Sequence, residues 1–172
     1  MWSNGKKIKY VLYKMTAAWL PQSSHLLIAK KIRGFWAKRI IKNIGQNVNI
    51  EKGATFTPEL SIGDNSGVGI NSEMLGCVEI GDNVMMGPEV IIYTRNHKFK
   101  GEGLFREQGY EESKPVVIGN NVWIGRRAMF MPGSSVGSNV VVAAGAVVTG
   151  CFGDNVIIGG VPAKVIGTIG KK

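Results

Sequence analysis

Residues 93–99 read YTRNHKF and hold His97, one of the two histidines in this 172-residue chain. An imidazole, with a reference pKa of about 6.5, can take a proton from a hydroxyl group at neutral pH. A histidine placed beside a polar loop is therefore a candidate general base. His25 offers a contrast, because it opens an expected helix and carries no assigned chemistry. The two cysteines, Cys77 and Cys151, are too few for a disulfide framework, fit no metal-ligand spacing and have no histidine beside them in the sequence. They read as small, buried or half-buried side chains in a reducing cytoplasm, and no metal is expected.

The elements that must hold His97 are regular. From Ile50 an apolar residue recurs every six positions, through Phe56, Ile62, Val68, Met74, Ile80 and Met86 to Ile92. The phase is then lost and resumes at Ile118, Ile124, Phe130, Val136, Val142 and Val148. Ile92 and Ile118 stand 26 residues apart, which is not a multiple of six. The segment between them is therefore expected to leave the repeat as a loop at about 98–115, with His97 at its root. Four places after the apolar members come small or β-branched residues such as Ala54, Ser66, Ser72, Val90, Ala128 and Ala146. A six-residue period is neither helical nor simply alternating. It suits a solenoid of short parallel strands, three sixes to a triangular coil, with the apolar member inward. Gly, Asn and Asp, as in GDN at 63–65 and 81–83, would occupy corners where a positive φ is tolerated.

The first fifty residues carry ten Lys or Arg and no Asp or Glu, whereas residues 51–172 carry eleven basic against twelve acidic groups. The net charge of +9 thus belongs to the N-terminal segment. There, Ile8, Val11, Leu12, Met15 and Trp19 follow helical spacing over 6–20, with Pro21 as the stop. A second stripe, Ile28, Ile32, Phe35, Trp36 and Ile40, follows a Ser23 or Ser24 cap. The expected division is a basic amphipathic helical segment over 1–45 and a solenoid over 46–172. Such helices could cap the open strand edge of the solenoid or touch an anionic membrane surface. No uncharged apolar run approaches ~18 residues, and no signal-peptide pattern opens the chain. Basic helices without a reading motif do not indicate nucleic acid.

Four stretches carry a more specific signal: IGDNVMMGPEVIIYTRNHKF, KPVVIGNNVWIG, VVAAGAVVT and GGVPAKVIG. Through them, over roughly residues 50–167, the chain resembles the hexapeptide-repeat acyltransferases, in particular the branch of galactoside, maltose and capsular polysaccharide O-acetyltransferases. The resemblance implies an all-β, left-handed parallel β-helix behind N-terminal helices, assembled as a cytoplasmic homotrimer. It implies direct transfer of an acetyl group from acetyl-CoA to a hydroxyl of a sugar or polysaccharide precursor. His97 would be the general base, and the backbone N–H of Arg126 would hold the oxyanion.

By the same resemblance, Trp123, Arg126, Ala144, Thr149 and Lys164 contact acetyl-CoA. Trp123 would be a flat wall for the pantetheine arm, Ala144 a place without bulk, and Thr149 and Lys164 neighbours of the nucleotide end. Asn71 and Asn96 are expected on the acceptor side. The chain departs from its relatives at Gly150 and Gly167, where they carry lysine or arginine. The phosphates are then expected to meet fewer charges, or Arg126 or Arg127 of another subunit. The carboxylate that galactoside-type enzymes place near Asn71 is not evident. The alternatives are an N- or O-acetyltransferase of a nucleotide amino sugar, amino acid or antibiotic, and a non-catalytic β-helix scaffold. A γ-class carbonic anhydrase would need three histidines for its metal, and the repeat holds one.

Overall fold

The six-residue period closes into a triangular prism. In the computed structural model, which describes residues 3–170, Asn43 pairs with Ser61, Asn49 with Gly67 and Thr55 with Glu73, each partner 18 residues on. Residues 1–2 and 171–172, the outer ends of the two expected segments, lie outside the described residues. The first face stacks Asn43–Ile44, Ser61–Ile62, Val78–Ile80, Val116–Ile118, Ser135–Val136 and Cys151–Phe152 in parallel. The second begins with Asn49–Ile50 and Gly67–Val68 and continues through Met85–Met86, Val122–Ile124, Val140–Val142 and Val156–Gly160. It ends on the antiparallel strand Ala163–Thr168. The third stacks Thr55–Phe56, Glu73–Leu75, Ile91–Tyr93, Met129–Phe130 and Val147–Val148.

The apolar members of the period fill the prism, as the pattern requires. All but one of the expected inward residues are buried, from Ile50 to Val148; Met86 is half-buried. The small residues four places on, such as Ala54, Ser66, Ala128 and Ala146, are buried with them. The corners differ from expectation in one respect. Positive φ falls on asparagine, at Asn47, Asn65, Asn83, Asn121, Asn139 and Asn155, with values of 52–60°. The glycines of GDN serve a different need. A Cβ at Gly63 would lie 2.7 Å from the carbonyl carbon of Gly81 in the next coil, so close approach of backbones, not φ, demands glycine there.

Two helices, α1 (Asn4–Thr16) and α2 (Leu27–Ile40), cover the first coil. Ser3 caps α1, its side chain accepting from the Lys6 N–H at 3.3 Å. The helix ends at Thr16, short of the expected stop at Pro21, because the Ala17 and Ala18 N–H groups turn back onto the Tyr13 carbonyl. The expected serine cap of α2 is corrected too: its N-cap is Leu26, with no side-chain bond. Ser23 is instead engaged by Arg33, whose Nη2 donates to Ser23 Oγ at 2.8 Å. Arg33 is fully buried and also donates to the carbonyls of Leu20, Pro21 and Ile50, while Glu51 lies 3.6 Å away.

The orientation of α1 shows which of its sides meets the solenoid. Ile8, Val11, Leu12, Met15 and Trp19 face outward, and the helix packs through Tyr10, Tyr13 and Ala17. The Tyr13 ring lies 5.0 Å from that of Phe56, and its hydroxyl donates to the Ala54 carbonyl at 3.1 Å. An aromatic ring with a polar tip can fill the mouth of the prism and also satisfy an edge carbonyl, which an aliphatic side chain cannot do. The helices therefore do cap the solenoid, but not with the residues that look most like a core.

Candidate functional site

Val78 pairs with Val116, 38 residues on, where the coil before it and the coil after it advance by 18; the loop thus adds 38 − 18 = 20 residues to one coil. The chain leaves after Thr94, whose buried hydroxyl donates to the Leu75 carbonyl at 3.1 Å, and returns at Lys114, whose N–H donates to the Thr94 carbonyl at 2.7 Å. Above this base, Lys98 N–H donates to Gly109 and Glu111 N–H to Asn96, so the excursion begins as a short antiparallel clasp. His97 and Tyr110 are bridge partners within it. The loop expected at 98–115 and its root at His97 are both present.

His97 is exposed, its ring lying on that of Tyr110 at 4.0 Å between centroids. The Arg95 guanidinium lies 4.2 Å from the same Tyr110 ring. Among the described residues none hydrogen-bonds the imidazole, so stacking on Tyr110 is what holds the ring. His97 opens on a groove of about 930 Å³ shared with Lys7 of α1, Glu59, Cys77, Arg95, Tyr110 and Ser113. Sequence reasoning missed Cys77 here, but coil arithmetic could have found it. Glu59, Cys77 and Arg95 stand 18 apart, so the coil stacks them in one column beside the histidine. Cys151, expected to be at least half-buried, is exposed, because it opens the last strand of the first face.

The other expected residues gather at a different corner. Trp123 lies on the second face between Met85 and Val141 and is 54% exposed. At the edge that follows, backbone packs on backbone: a Cβ at Gly87 would sit 2.8 Å from Arg126 N, and one at Gly125 2.5 Å from Ala144 N. The N–H groups of Arg126 and Ala144 donate to no partner among the described residues, whereas the neighbouring Arg127 N–H goes to Pro88. Ala144 is exposed, so a slender chain could lie along this edge and accept from both. Asn71 caps the same edge at a positive φ of 54°, a conformation that accounts for an asparagine there without any ligand.

The arginine side chains are already committed within the chain. Arg126 Nη2 donates to Glu89 Oε1 at 2.6 Å and Arg127 Nε to Glu89 Oε2. Hydrogen bonding from Arg126, then from Arg127, holds the Glu89 carboxyl below its ordinary pKa. Thr149 is exposed after the last third-face strand, on the His97 side of the prism, while Lys164 is exposed on the terminal hairpin of the second face. Asn96 neighbours His97 and accepts from Glu111 through its carbonyl.

One chain therefore does not assemble the expected site. The corner of Arg126 and the corner of His97 are separated by the third face, whose six residues at ~3.3 Å each make a gap of roughly 15–20 Å. A proton acceptor and an oxyanion donor that serve one carbonyl must lie within a few ångströms of it. The outer second face is apolar, with Met85, Trp123, Val165 and Ile166 all more than half exposed.

Comparison with known proteins agrees with this architecture. Family models described as bacterial transferase hexapeptide (six repeats) and hexapeptide repeat of succinyl-transferase match residues 115–150 and 59–93. Galactoside O-acetyltransferase from Escherichia coli (strain K12) is 34% identical over 139 residues, covering 78% of this chain and 68% of that protein. The crystal structure of a maltose O-acetyltransferase from Clostridium difficile 630 superposes with a TM-score of 0.81 at 29% identity, covering 97% of this chain and 87% of that one. A galactoside acetyltransferase in complex with coenzyme A gives a TM-score of 0.80 at 31% identity, covering 98% and 84%. The prism is thus the left-handed parallel β-helix shared with these proteins.

Proposed function

The chain belongs to the hexapeptide-repeat acyltransferase family, and from that premise we propose that it moves an acetyl group from acetyl-CoA to a hydroxyl of a sugar or polysaccharide precursor. The observation that carries this reading is His97: a solvent-facing imidazole, held by Tyr110, at the mouth of a groove where the repeat is broken. In the reaction His97 takes the proton of the acceptor hydroxyl as that oxygen bonds to the thioester carbonyl carbon. The Arg126 N–H, contributed by a neighbouring copy, holds the resulting oxyanion. Collapse breaks the C–S bond, coenzyme A leaves as thiolate, and the proton on His97 passes to it. No covalent enzyme intermediate is needed.

The split site supports a homotrimer with three equivalent sites at its boundaries, since a cyclic arrangement gives every His97 corner an Arg126 corner. We place the reaction in a reducing cytoplasm, since two cysteines are too few for a disulfide framework. The test is acetyl-CoA consumption with a panel of neutral and acidic glycans, with products read by mass spectrometry, alongside light scattering. Hydroxyl-acetylated product from a trimer is the expected result. Acetylated amines alone, or an active monomer, would overturn the acceptor or the assembly respectively.

A further inference from the structure

The outer faces of the two N-terminal helices are apolar, basic and uncovered by the chain. On α1, Ile8, Val11, Leu12 and Met15 follow i, i+3, i+4, i+7 and are 62, 53, 41 and 75% exposed; Trp19, just beyond, is 68% exposed. The four helical residues form one stripe, opposite the buried Tyr13, while Trp19 is exposed beyond the end of the helix. At 3.6 residues per turn, Lys9 flanks this stripe on one side, and Lys7 and Lys14 flank it on the other. On α2, the exposed Leu27, Ile28 and Phe35 are interleaved with Lys31, Lys38 and Arg39, and the Arg39 guanidinium lies 3.5 Å from the Phe35 ring centre. Exposed apolar side chains gathered on one helix face in this way mark a contact site.

Charge selects the occupant. The first fifty residues hold ten basic and no acidic side chains. A second copy presenting the same face would set like charge against like. An anionic lipid surface instead receives apolar side chains at the acyl boundary and lysines among the headgroups. We infer that α1 and α2 dock the protein on an anionic membrane surface, with the stripe from Ile8 to Met15, and Trp19 beyond it, buried at the interface. Docking and capping then use opposite sides of the same helices and do not compete. No helix among the described residues is long and apolar enough to cross a membrane, and the contact proposed is with the membrane surface. Lys7 also lines the His97 groove, which docking would hold within about one helix diameter, ~10 Å, of the headgroups.

Co-sedimentation of the full chain with vesicles tests this. Vesicles of phosphatidylcholine carrying about a third phosphatidylglycerol should take up the protein at least about tenfold better than pure phosphatidylcholine, and binding should fall several-fold as salt is raised. The doubly substituted V11S/M15S protein keeps every lysine and should lose about tenfold in binding with its melting temperature and its reaction in solution unchanged. Lys9→Gln with Lys31→Gln should weaken binding to the anionic vesicles alone. Equal uptake by both vesicles, or a V11S/M15S protein that binds like the parent, would overturn the inference. So would a drop in oligomeric state for V11S/M15S, because the face would then be occupied by a second copy.

Discussion

The imidazole of His97 lies against the phenol ring of Tyr110 at 4.0 Å, their planes inclined by 36°, and the two residues also pair through their backbones. A ring held only by stacking depends on its partner's ring, not on its hydroxyl. Under the proposed mechanism His97→Ala should lower turnover at least ~10²-fold while leaving coenzyme A binding nearly intact. Tyr110→Phe should keep most activity, and Tyr110→Ala should lose part of it. Steady-state kinetics with calorimetric titration of coenzyme A separates these effects; a His97→Ala enzyme with normal turnover would exclude the base assignment.

Along the Arg126 edge, the exposed methyl of Ala144 tops a column in which Gly125 lets the coils touch. Ala144→Leu should raise the KM for acetyl-CoA by about tenfold or more with little change in the acceptor KM, because bulk there blocks only the slender donor. The melting temperature should not move. An unchanged acetyl-CoA KM would mean that the donor runs elsewhere.

The loop beyond the clasp, which carries Glu102 and Glu107, is tied to itself through Gln108, whose amide bonds Gly101 and Gly103, and it adds nothing to the core. Removing residues 101–106 should alter acceptor preference far more than thermal stability, since loops on a rigid scaffold set specificity. A large loss of stability with the same acceptor profile would show a structural role instead.

Arg33 and Glu51 fasten the helices to the first coil. Removing the buried guanidinium by Arg33→Met leaves Glu51 without its partner and should cost about 3–5 kcal/mol in denaturant unfolding. Glu51 also sets a pH dependence. Burial pushes its carboxyl up, but hydrogen bonds from Asn49, Ser23 and Lys52 outweigh this, and the folded pKa lies below the ordinary 4.5. The sign follows: its contribution is complete above about pH 4.5 and is lost as pH falls through the lower, folded value. Glu51→Gln should flatten that acid limb of the stability curve; an identical limb would acquit Glu51.

At the corners, Asn83 holds φ at 57°. Asn83→Ala should destabilise by about 1 kcal/mol and Asn83→Gly by less, because only alanine meets the left-handed penalty. Equal losses would show that side-chain bonding, not backbone conformation, explains the asparagine.

Much of this was legible in the sequence because it is local. An apolar residue every sixth place can be inward only if the chain turns three times per coil, so the prism, its core and the 20-residue interruption at His97 could be read without coordinates. What the residues could not show is which contacts close over long separations. The helical spacing of the α1 stripe left open which way it faces, and it lies outside because Tyr13 finds both Phe56 and the Ala54 carbonyl, 43 and 41 positions away. Arg33 looked like one more surface cation and is buried, because five residues between Leu20 and Glu51 converge on it. Motif matching gathered His97 and Arg126 into one site, and only the folded prism set them on different corners, since a rigid face of six extended residues cannot bring its two ends together.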